Sequence, residues 1–444
     1  VPGHVLNNRV TFLAGFSSAK MLVNRRLNNP ANGKIGGQGN IKKQFARFND
    51  NGPGQGVEKK MCLSEIAVTF ALKCYLCIFD IDHWNYNFHL KMQINSFNSK
   101  IFIETSIGKE LPEYIDSMKP GKIFIITDEN TREYCLPHLD ELLNGQKVHI
   151  SVIGQGERHK RIDSVAGIWN DMQRGGADRD SLLIGLGGGM LLDVAGFAAA
   201  TFKRGVRQVN IPTTLLSMVD ASVGGKNGFN LNGFKNHIGV FRSPNYVFIY
   251  PEFLKTLEVR QLYAGWAEML KHGLIQSRRH FDQLIMSNPH KLPQGEMAKM
   301  IRDSVDIKNF FITRDPYEEN VRKALNFGHT VGHALESLAI EKGQTVLHGE
   351  AIAWGLLCEY RLSMKLRSAD PTPFNNLYDF IGRNYQPLHL QRSDFPDILR
   401  YLQEDKKNKK EQINFTLLKA IGEPLIDQYL GKYEIENCLK ALWG

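Results

Sequence analysis

The stretch SLLIGLGGGMLLDVAGFAAATF, residues 181–202, decides the fold. From Leu182 to Leu186 it is apolar without alternation, as expected of a strand covered on both faces in a parallel sheet. Gly187, Gly188 and Gly189 follow at once, and a helical segment containing Asp193 opens from them. Strand, glycine turn and helix in that order begin an open α/β unit. Amide groups at a helix N-terminus, with no Cβ in the way, suit a pyrophosphate. The strict G-x-G-x-x-G is absent, and the competing reading is a tight strand-to-helix turn.

The same alternation extends outward. Lys122–Thr127 reads as a strand closed by Asp128, Glu129 and Asn130, and Val148–Ile153 as a second, running into Gly154–Glu157. A helix is expected over Ile162–Arg174 and further strands at Gln208–Ile211 and Tyr246–Ile249. Thr213 and Thr214, after Pro212, can offer hydroxyls to an anion at the glycine turn or cap a helix. This predicts a Rossmann-like α/β domain over residues 92–258. Beyond 258 strand signals stop and helical periodicity dominates, so residues 259–444 are expected to form an all-helical domain. The cleft between the two is the expected site.

Composition narrows the class. The 444 residues are 42% hydrophobic and 23% charged, which is ordinary for a globular chain of two domains. Six scattered cysteines give no disulfide framework and fit a reducing cytoplasm. The net charge of +9 suggests nucleic acid until it is located. Residues 1–91 carry 12 Lys+Arg against 5 Asp+Glu, the remainder 43 against 41. The main body is therefore nearly neutral, which removes the argument for nucleic-acid binding. The longest apolar run, Ile66–Phe79, is interrupted by Lys73 and falls short of the roughly 20 residues a membrane span needs. Residues 1–91 are Asn- and Gly-rich with weak periodicity. Their Cys74-x-x-Cys77 lacks the partners of a metal or redox site. They are expected to be an extension outside the functional fold, with the working protein beginning near Met92.

Three polar clusters carry the chemistry. Asp220-Ala-Ser-Val-Gly-Gly-Lys226, followed by Asn230, Lys235 and Asn236, is expected as a glycine-containing loop suited to an anionic substrate. Glu268 and Lys271 lie three apart, hence on one helical face, a spacing usually met in surface ion pairs. Asn326-Phe-Gly-His329-Thr-Val-Gly-His333, then His348-Gly-Glu350, gathers three of the 14 histidines and points to a metal site. Spacing alone pairs His329 with His333 as ligands.

The segments GLGGGMLLDVAGFAAATFKRG, IPTTLLSMVDASVGGKNGFN, FKNHIGVF, AGWAEMLKHG, NFGHTVGHALE and LHGEAIAWG, in this order, resemble the 3-dehydroquinate synthases of the shikimate pathway in their single-function bacterial form. The resemblance runs from about Met92 to the C-terminus. It implies an NAD-binding domain followed by a metal-binding one, with zinc on Glu268, His329 and His348 and cobalt as a substitute. His333 then becomes an acid/base or substrate-contacting group, against the spacing argument. NAD contacts are implied at Asp128, Glu157, Lys160, Gly187, Gly188, Gly189, Asp193, Thr213, Thr214, Thr256 and Leu257. Catalytic roles are implied for Lys226, Asn236, Lys271, Glu318 and His333. Substrate contacts are implied at Asp220, Lys235, Lys308, Arg322 and Asn326, with Arg204 reaching the phosphate of a partner subunit in a homodimer. A lysine near the C-terminus matches Lys406 or Lys407, Lys406 being preferred. Two departures stand out: Asn227 for a common Thr, and His272 where an aromatic or Ala is frequent. The rival readings are another sugar-phosphate cyclase, and an NAD-dependent polyol dehydrogenase, which has no use for this lysine and arginine set.

Overall fold

The computed structural model describes residues 91–439 apart from 109, 141–142, 144–145, 233 and 404–411. The expectations for residues 1–90, for Cys74 and Cys77, and for Lys406 and Lys407 fall outside the described residues. Asn87–Gly444 forms one compact unit, so the lobes described below belong to a single body.

The first lobe opens with β1 (Lys91–Ser96) and β2 (Ser99–Glu104), an antiparallel pair that the sequence reading missed. Only Met92 and Ile94 of β1 point inward, so this half-covered edge strand carries too few apolar residues to be seen by pattern. Helix α1 (Glu110–Met118), β3 (Ile123–Thr127), α2 (Glu129–Tyr134), β4 (Val148–Val152), α3 (Ile162–Arg174), β5 (Leu182–Gly187), α4 (Gly189–Thr201) and β6 (Arg207–Pro212) follow. Next come a hairpin, β7 (Lys226–Leu231) and β8 (Phe234–Phe241), and β9 (Tyr246–Ile249). The expected loop over residues 220–236 is thus half hairpin. Asn227 is the reason it stays pinned: its buried amide donates to the Gly225 carbonyl at 3.0 Å and the Arg242 carbonyl at 2.7 Å.

The seven-stranded sheet has the order β1-β2-β9-β6-β5-β3-β4, with every pair parallel except β1–β2. β3 and β5 are wholly buried, as their unbroken apolar runs require. After β3 the chain moves outward to β4; after β5 it moves the other way to β6. The order reverses between β3 and β5, which opens a crevice at their carboxyl ends. Registers Thr127↔Val152 and Gly187↔Pro212 bring four strand ends level there. Helix α4 is buried over eight of its residues, consistent with its apolar character all round.

The second lobe holds α5 (Val259–Gln276), α6 (Arg278–Met286), α7 (Gln294–Arg314), α8 (His329–Glu341), α9 (His348–Arg367), α10 (Pro371–Asn384), α11 (Phe395–Gln403) and α12 (Lys432–Leu439). It is not purely helical. β10 (Ile413–Ala420) and β11 (Glu423–Leu430) form an antiparallel hairpin between α11 and α12. Its outer strand is only half buried, so it lacked a strong apolar signal. The hairpin supports the 3-10 turn Val321–Asn326: Thr416 donates to the Lys323 carbonyl at 2.9 Å, and Asp427 pairs with the Lys323 ammonium at 2.9 Å. Helix α9 lies close against α5 because Gly349 has no side chain; a Cβ there would stand 1.9 Å from the Ala264 carbonyl oxygen. Among the described residues no helix is long and apolar enough to cross a membrane.

Candidate active site

On the nucleotide-lobe side the site is built from strand ends. Asp128 follows β3 and caps α2, accepting the Thr131 amide at 2.8 Å. Glu157, in the turn after β4, accepts from the Asn230 amide at 2.8 Å. Lys160 is buried and pairs with Asp193 at 2.5 Å. Burial works against the Lys160 charge, but Asp193 and Glu157 outweigh it and raise the ammonium pKa. Burial raises that of Asp193 in spite of Lys160. The Thr213 amide donates to the Gly187 carbonyl at 3.1 Å, joining the end of β6 to the glycine turn. Thr214 serves as a cap, its hydroxyl accepting the Ser217 amide at 3.1 Å. Thr256 and Leu257 close the 3-10 turn after β9 on the same carboxyl edge.

Gly188 is the N-cap of α4, and no side chain caps this terminus. A Cβ on Gly188 would meet only Thr214, at 3.4 Å, with space on its other sides. Uncapped amides, an open cradle and the helix dipole fit a dinucleotide pyrophosphate at this turn.

On the helical side, Glu268 and Lys271 of α5 form an ion pair, but one whose side chains are 0% and 2% exposed, not the surface pair that their spacing usually signals. Glu268 Oε1 lies 3.4 Å from His329 Nε2 and 3.7 Å from His348 Nε2. These distances are close to the edge of about 3.3 Å that tetrahedral ligands 2.0–2.1 Å from a zinc ion would make. Burial would push the Glu268 carboxyl up, but Lys271, His329 and His348 hold it well below its usual value. Burial first, then Lys271, lowers His329, keeping its imidazole neutral. An ionised carboxylate with two imidazoles, its oxygens buried without a well-formed hydrogen bond, fits a divalent metal ion. His333 is exposed on α8; one ring atom each of His329, His333 and His348 lies within 4.8 Å of the others. His333 thus faces the same space as the other two imidazoles.

A ring of cations surrounds this set. Lys308 of α7 donates to the Asp220 carboxylate and carbonyl, both at 2.5 Å. Burial first, opposed by Asp220, lowers the Lys308 pKa; burial would raise Asp220, but Lys308 holds it below its usual value. Arg322, 3% exposed, donates to the Pro316 carbonyl at 2.5 Å and the Gly224 carbonyl at 3.3 Å. Glu318, at φ 62°, accepts the Asn326 amide at 2.7 Å and pairs with Lys226 across the lobes. Asn236 on β8, at φ 51°, donates its backbone N–H to Asn230 Oδ1 at 2.8 Å. Lys235 reaches Glu336 of α8 at 2.8 Å.

Arg204 is the exception. It sits just past α4, at the opposite end of that helix from the glycine turn, roughly 20 Å away for 13 residues. It thus lies apart from the glycine turn of its own chain.

Glu336, Glu359 and Asp315 escaped the sequence reading, and Glu350 was quoted there beside His348 without its partner. Glu336 accepts from His348 Nδ1 at 3.2 Å. Its place, three residues after His333 and seven after His329, puts it on their helical face, a usable signal. Glu359 of α9 accepts the Gly328 and Val331 amides at 2.6 and 3.0 Å, holding the start of α8. Glu350 grips Arg260 of α5 at 2.6 and 2.7 Å, fixing the start of α9. Asp315 accepts the amides of Glu319, Asn320 and Arg322, which shapes the turn bearing Glu318. The last three involve residues far apart in sequence or backbone amides and left no pattern.

Comparison with known proteins identifies the family. The 3-dehydroquinate synthase N-terminal family matches residues 150–264 and its C-terminal family residues 265–408. The 3-dehydroquinate synthase of Parabacteroides distasonis is 41% identical over 340 residues, 77% of this chain and 96% of its own. That of Ruminiclostridium cellulolyticum is 35% identical over 320 residues, 71% of this chain and 88% of its own. Among solved structures, a 2-deoxy-scyllo-inosose synthase with carbaglucose-6-phosphate, NAD+ and Co2+ superposes at a TM-score of 0.70 and 24% identity, covering 79% of this chain and 100% of that one. The 2-epi-5-epi-valiolone synthase of Streptomyces hygroscopicus, with NAD+ and Zn2+, gives 0.68 at 24% identity, covering 79% and 98%. These two share the fold. The chain belongs to the 3-dehydroquinate synthase family.

Proposed function

We propose that the chain converts 3-deoxy-D-arabino-heptulosonate 7-phosphate to 3-dehydroquinate and phosphate. Residues 92–258 bind NAD, residues 259–444 hold one divalent metal ion, zinc by preference with cobalt able to substitute, and the protein works as a homodimer in the cytoplasm. The observation that carries this reading is the meeting of the Glu268–His329–His348 set with Lys226, Lys235, Lys271, Lys308 and Arg322 in one cleft beside the open glycine turn.

When bound, NAD would supply reversible hydride transfer at the carbon that bears a ring hydroxyl, and a divalent metal would favour ionisation of that hydroxyl, with no net consumption of the cofactor. The protein groups do the rest. The uncapped start of α4, with Lys160 and Thr213 beside it, holds the dinucleotide phosphates. Lys226, Lys235, Lys308 and Arg322 bind a doubly anionic substrate in one orientation, and Asn236 and Asn326 hydrogen-bond its hydroxyls. Lys271 compensates Glu268 from below, keeping the carboxylate ionised. His333, exposed to the cleft, moves the proton of the reacting hydroxyl, and Glu318 sets the height of Lys226. Temporary oxidation beside a C–H bond acidifies it, so phosphate leaves by β-elimination. The departing phosphate can itself take that proton. After re-reduction the ring opens and an intramolecular aldol closure gives the carbocycle, for which holding one conformer is the main requirement. Such positioning can be worth about 7–11 kcal/mol in the best intramolecular cases. Arg204 extends to the phosphate in the partner's site.

The test is phosphate release from this sugar phosphate with catalytic NAD+, before and after chelation, with the carbon product identified. The expected result is metal-dependent release of phosphate and 3-dehydroquinate without net NADH. Phosphate release from other sugar phosphates alone would move the assignment to a related cyclase, and NADH accumulation with polyols to a dehydrogenase.

A further inference from the structure

Glu336 is the carboxylate on which functional side chains from the two lobes meet, and the function above gives it no task. Its side chain is 9% exposed. Oε2 faces His348 Nδ1 at 3.2 Å, and Oε1 faces Lys235 Nζ at 2.8 Å. His348 is the first residue of α9, and Lys235 lies on β8 of the nucleotide lobe. We propose that Glu336 is a positioning residue that fixes His348 in the ligand tautomer with one oxygen and places the Lys235 ammonium at the cleft with the other.

The first half follows from what each atom can do. An ionised carboxylate only accepts, so the His348 proton resides on Nδ1 and the Nε2 lone pair is left open. Nε2 points toward Glu268 Oε1, 3.7 Å away, where the metal reading requires a donor. A neutral imidazole has one proton to place; without an acceptor at Nδ1 the other tautomer competes and its Nε2 cannot bind a cation. Such outer acceptors orient the ring and raise its basicity, and their loss typically costs about 10–100-fold in metal affinity.

The second half follows from position. Lys235 sits on a hairpin strand followed by exposed Asn236 and His237, and its own side chain is 37% exposed. The Glu336 bond is what directs this flexible side chain into the cleft and toward the helical lobe. Because Glu336 lies on the same helical face as His329 and His333, the lysine is aimed at the metal set and not at solvent. One carboxylate thus registers a substrate-binding charge of one lobe against a ligand of the other.

This inference rests on the metal and substrate reading above, and the experiment separates the two. Co2+, whose visible absorption reports its ligand geometry, is titrated into the apo-protein in competition with a chelator. Glu336→Gln is expected to lower Co2+ affinity about 10–100-fold and to raise the KM for the sugar phosphate. Lys235→Met is expected to raise KM while leaving Co2+ affinity within about threefold of the native value, a split that general loosening of the fold would not produce. Should Glu336→Gln not fold, Glu336→Asp keeps the charge but withdraws it by one methylene, and its Co2+ affinity is expected between the two. Native Co2+ affinity in a folded Glu336→Gln or Glu336→Asp protein overturns the proposal. Equal loss of Co2+ affinity in Lys235→Met overturns the division of labour between the two oxygens. A native chain that binds no Co2+ at all overturns instead the metal reading beneath it.

Discussion

His329 and His333 are one helical turn apart, and nothing in their spacing says which of them would bind metal. The difference comes from what each ring meets. His329 has Glu268 Oε1 at 3.4 Å, while His333 is exposed with its ring centroid 5.2 Å from that of His329. His329→Ala is therefore expected to abolish metal binding and turnover together. His333→Ala is expected to keep the metal and lose roughly 10²–10⁴ in kcat, the range of a general acid/base group. Metal content by atomic absorption beside single-turnover rates checks this; equal metal loss in both variants would show the ligands to be wrongly assigned.

At the scale of elements, the site depends on how closely α5 and α9 approach. The 1.9 Å that a Gly349 Cβ would have to the Ala264 carbonyl oxygen cannot be relieved by a side-chain rotation, since the obstacle is backbone. Gly349→Ala is expected to cost about 1–3 kcal/mol of stability and to weaken metal binding by displacing His348 next to it. Urea unfolding and Co2+ titration would read both effects. A second element-scale prediction concerns the end of β2. Burial first, and then Glu110, pushes the Glu104 carboxyl from 4.5 up to about 8. The folded chain thus keeps a proton that the unfolded chain releases above about 4.5. The stability carried by this group is complete below that value and is lost as pH rises toward 8. Glu104→Gln is expected to flatten this slope and to gain roughly 1–3 kcal/mol near pH 8. An unchanged slope in urea melts between pH 5 and pH 8 would refute it.

For the molecule as a whole, the telling observation is a residue on the wrong side. Arg204 lies a helix length from the glycine turn of its own chain, and the proposed homodimer gives it the partner's substrate phosphate to bind. Arg204→Ala and Lys226→Ala are each expected to be nearly inactive. A randomly reassorted mixture of the two should recover about a quarter of native activity, because half of the dimers regain one complete site. No recovery after verified subunit exchange would argue against sharing of Arg204.

The sequence by itself determined the parallel sheet and the place of its crevice. Runs such as Leu182–Leu186 are buried on both faces and need no partner to be recognised, and a triple glycine between strand and helix admits few geometries. It also offered the polar residues proposed for the site, most of them through the family resemblance of the motifs that carry them. It did not reveal β1 or β11, whose half-covered strands carry diluted patterns, and so missed the hairpin that β11 makes with the largely buried β10. Nor could it tell the Glu268–Lys271 pair from a surface one, because spacing fixes a shared face but not what covers it. Only the tertiary structure decided that, and with it the contacts of Glu336, Glu350 and Glu359. These act through groups on other elements, and their partners become neighbours only when α5, α8 and α9 pack together.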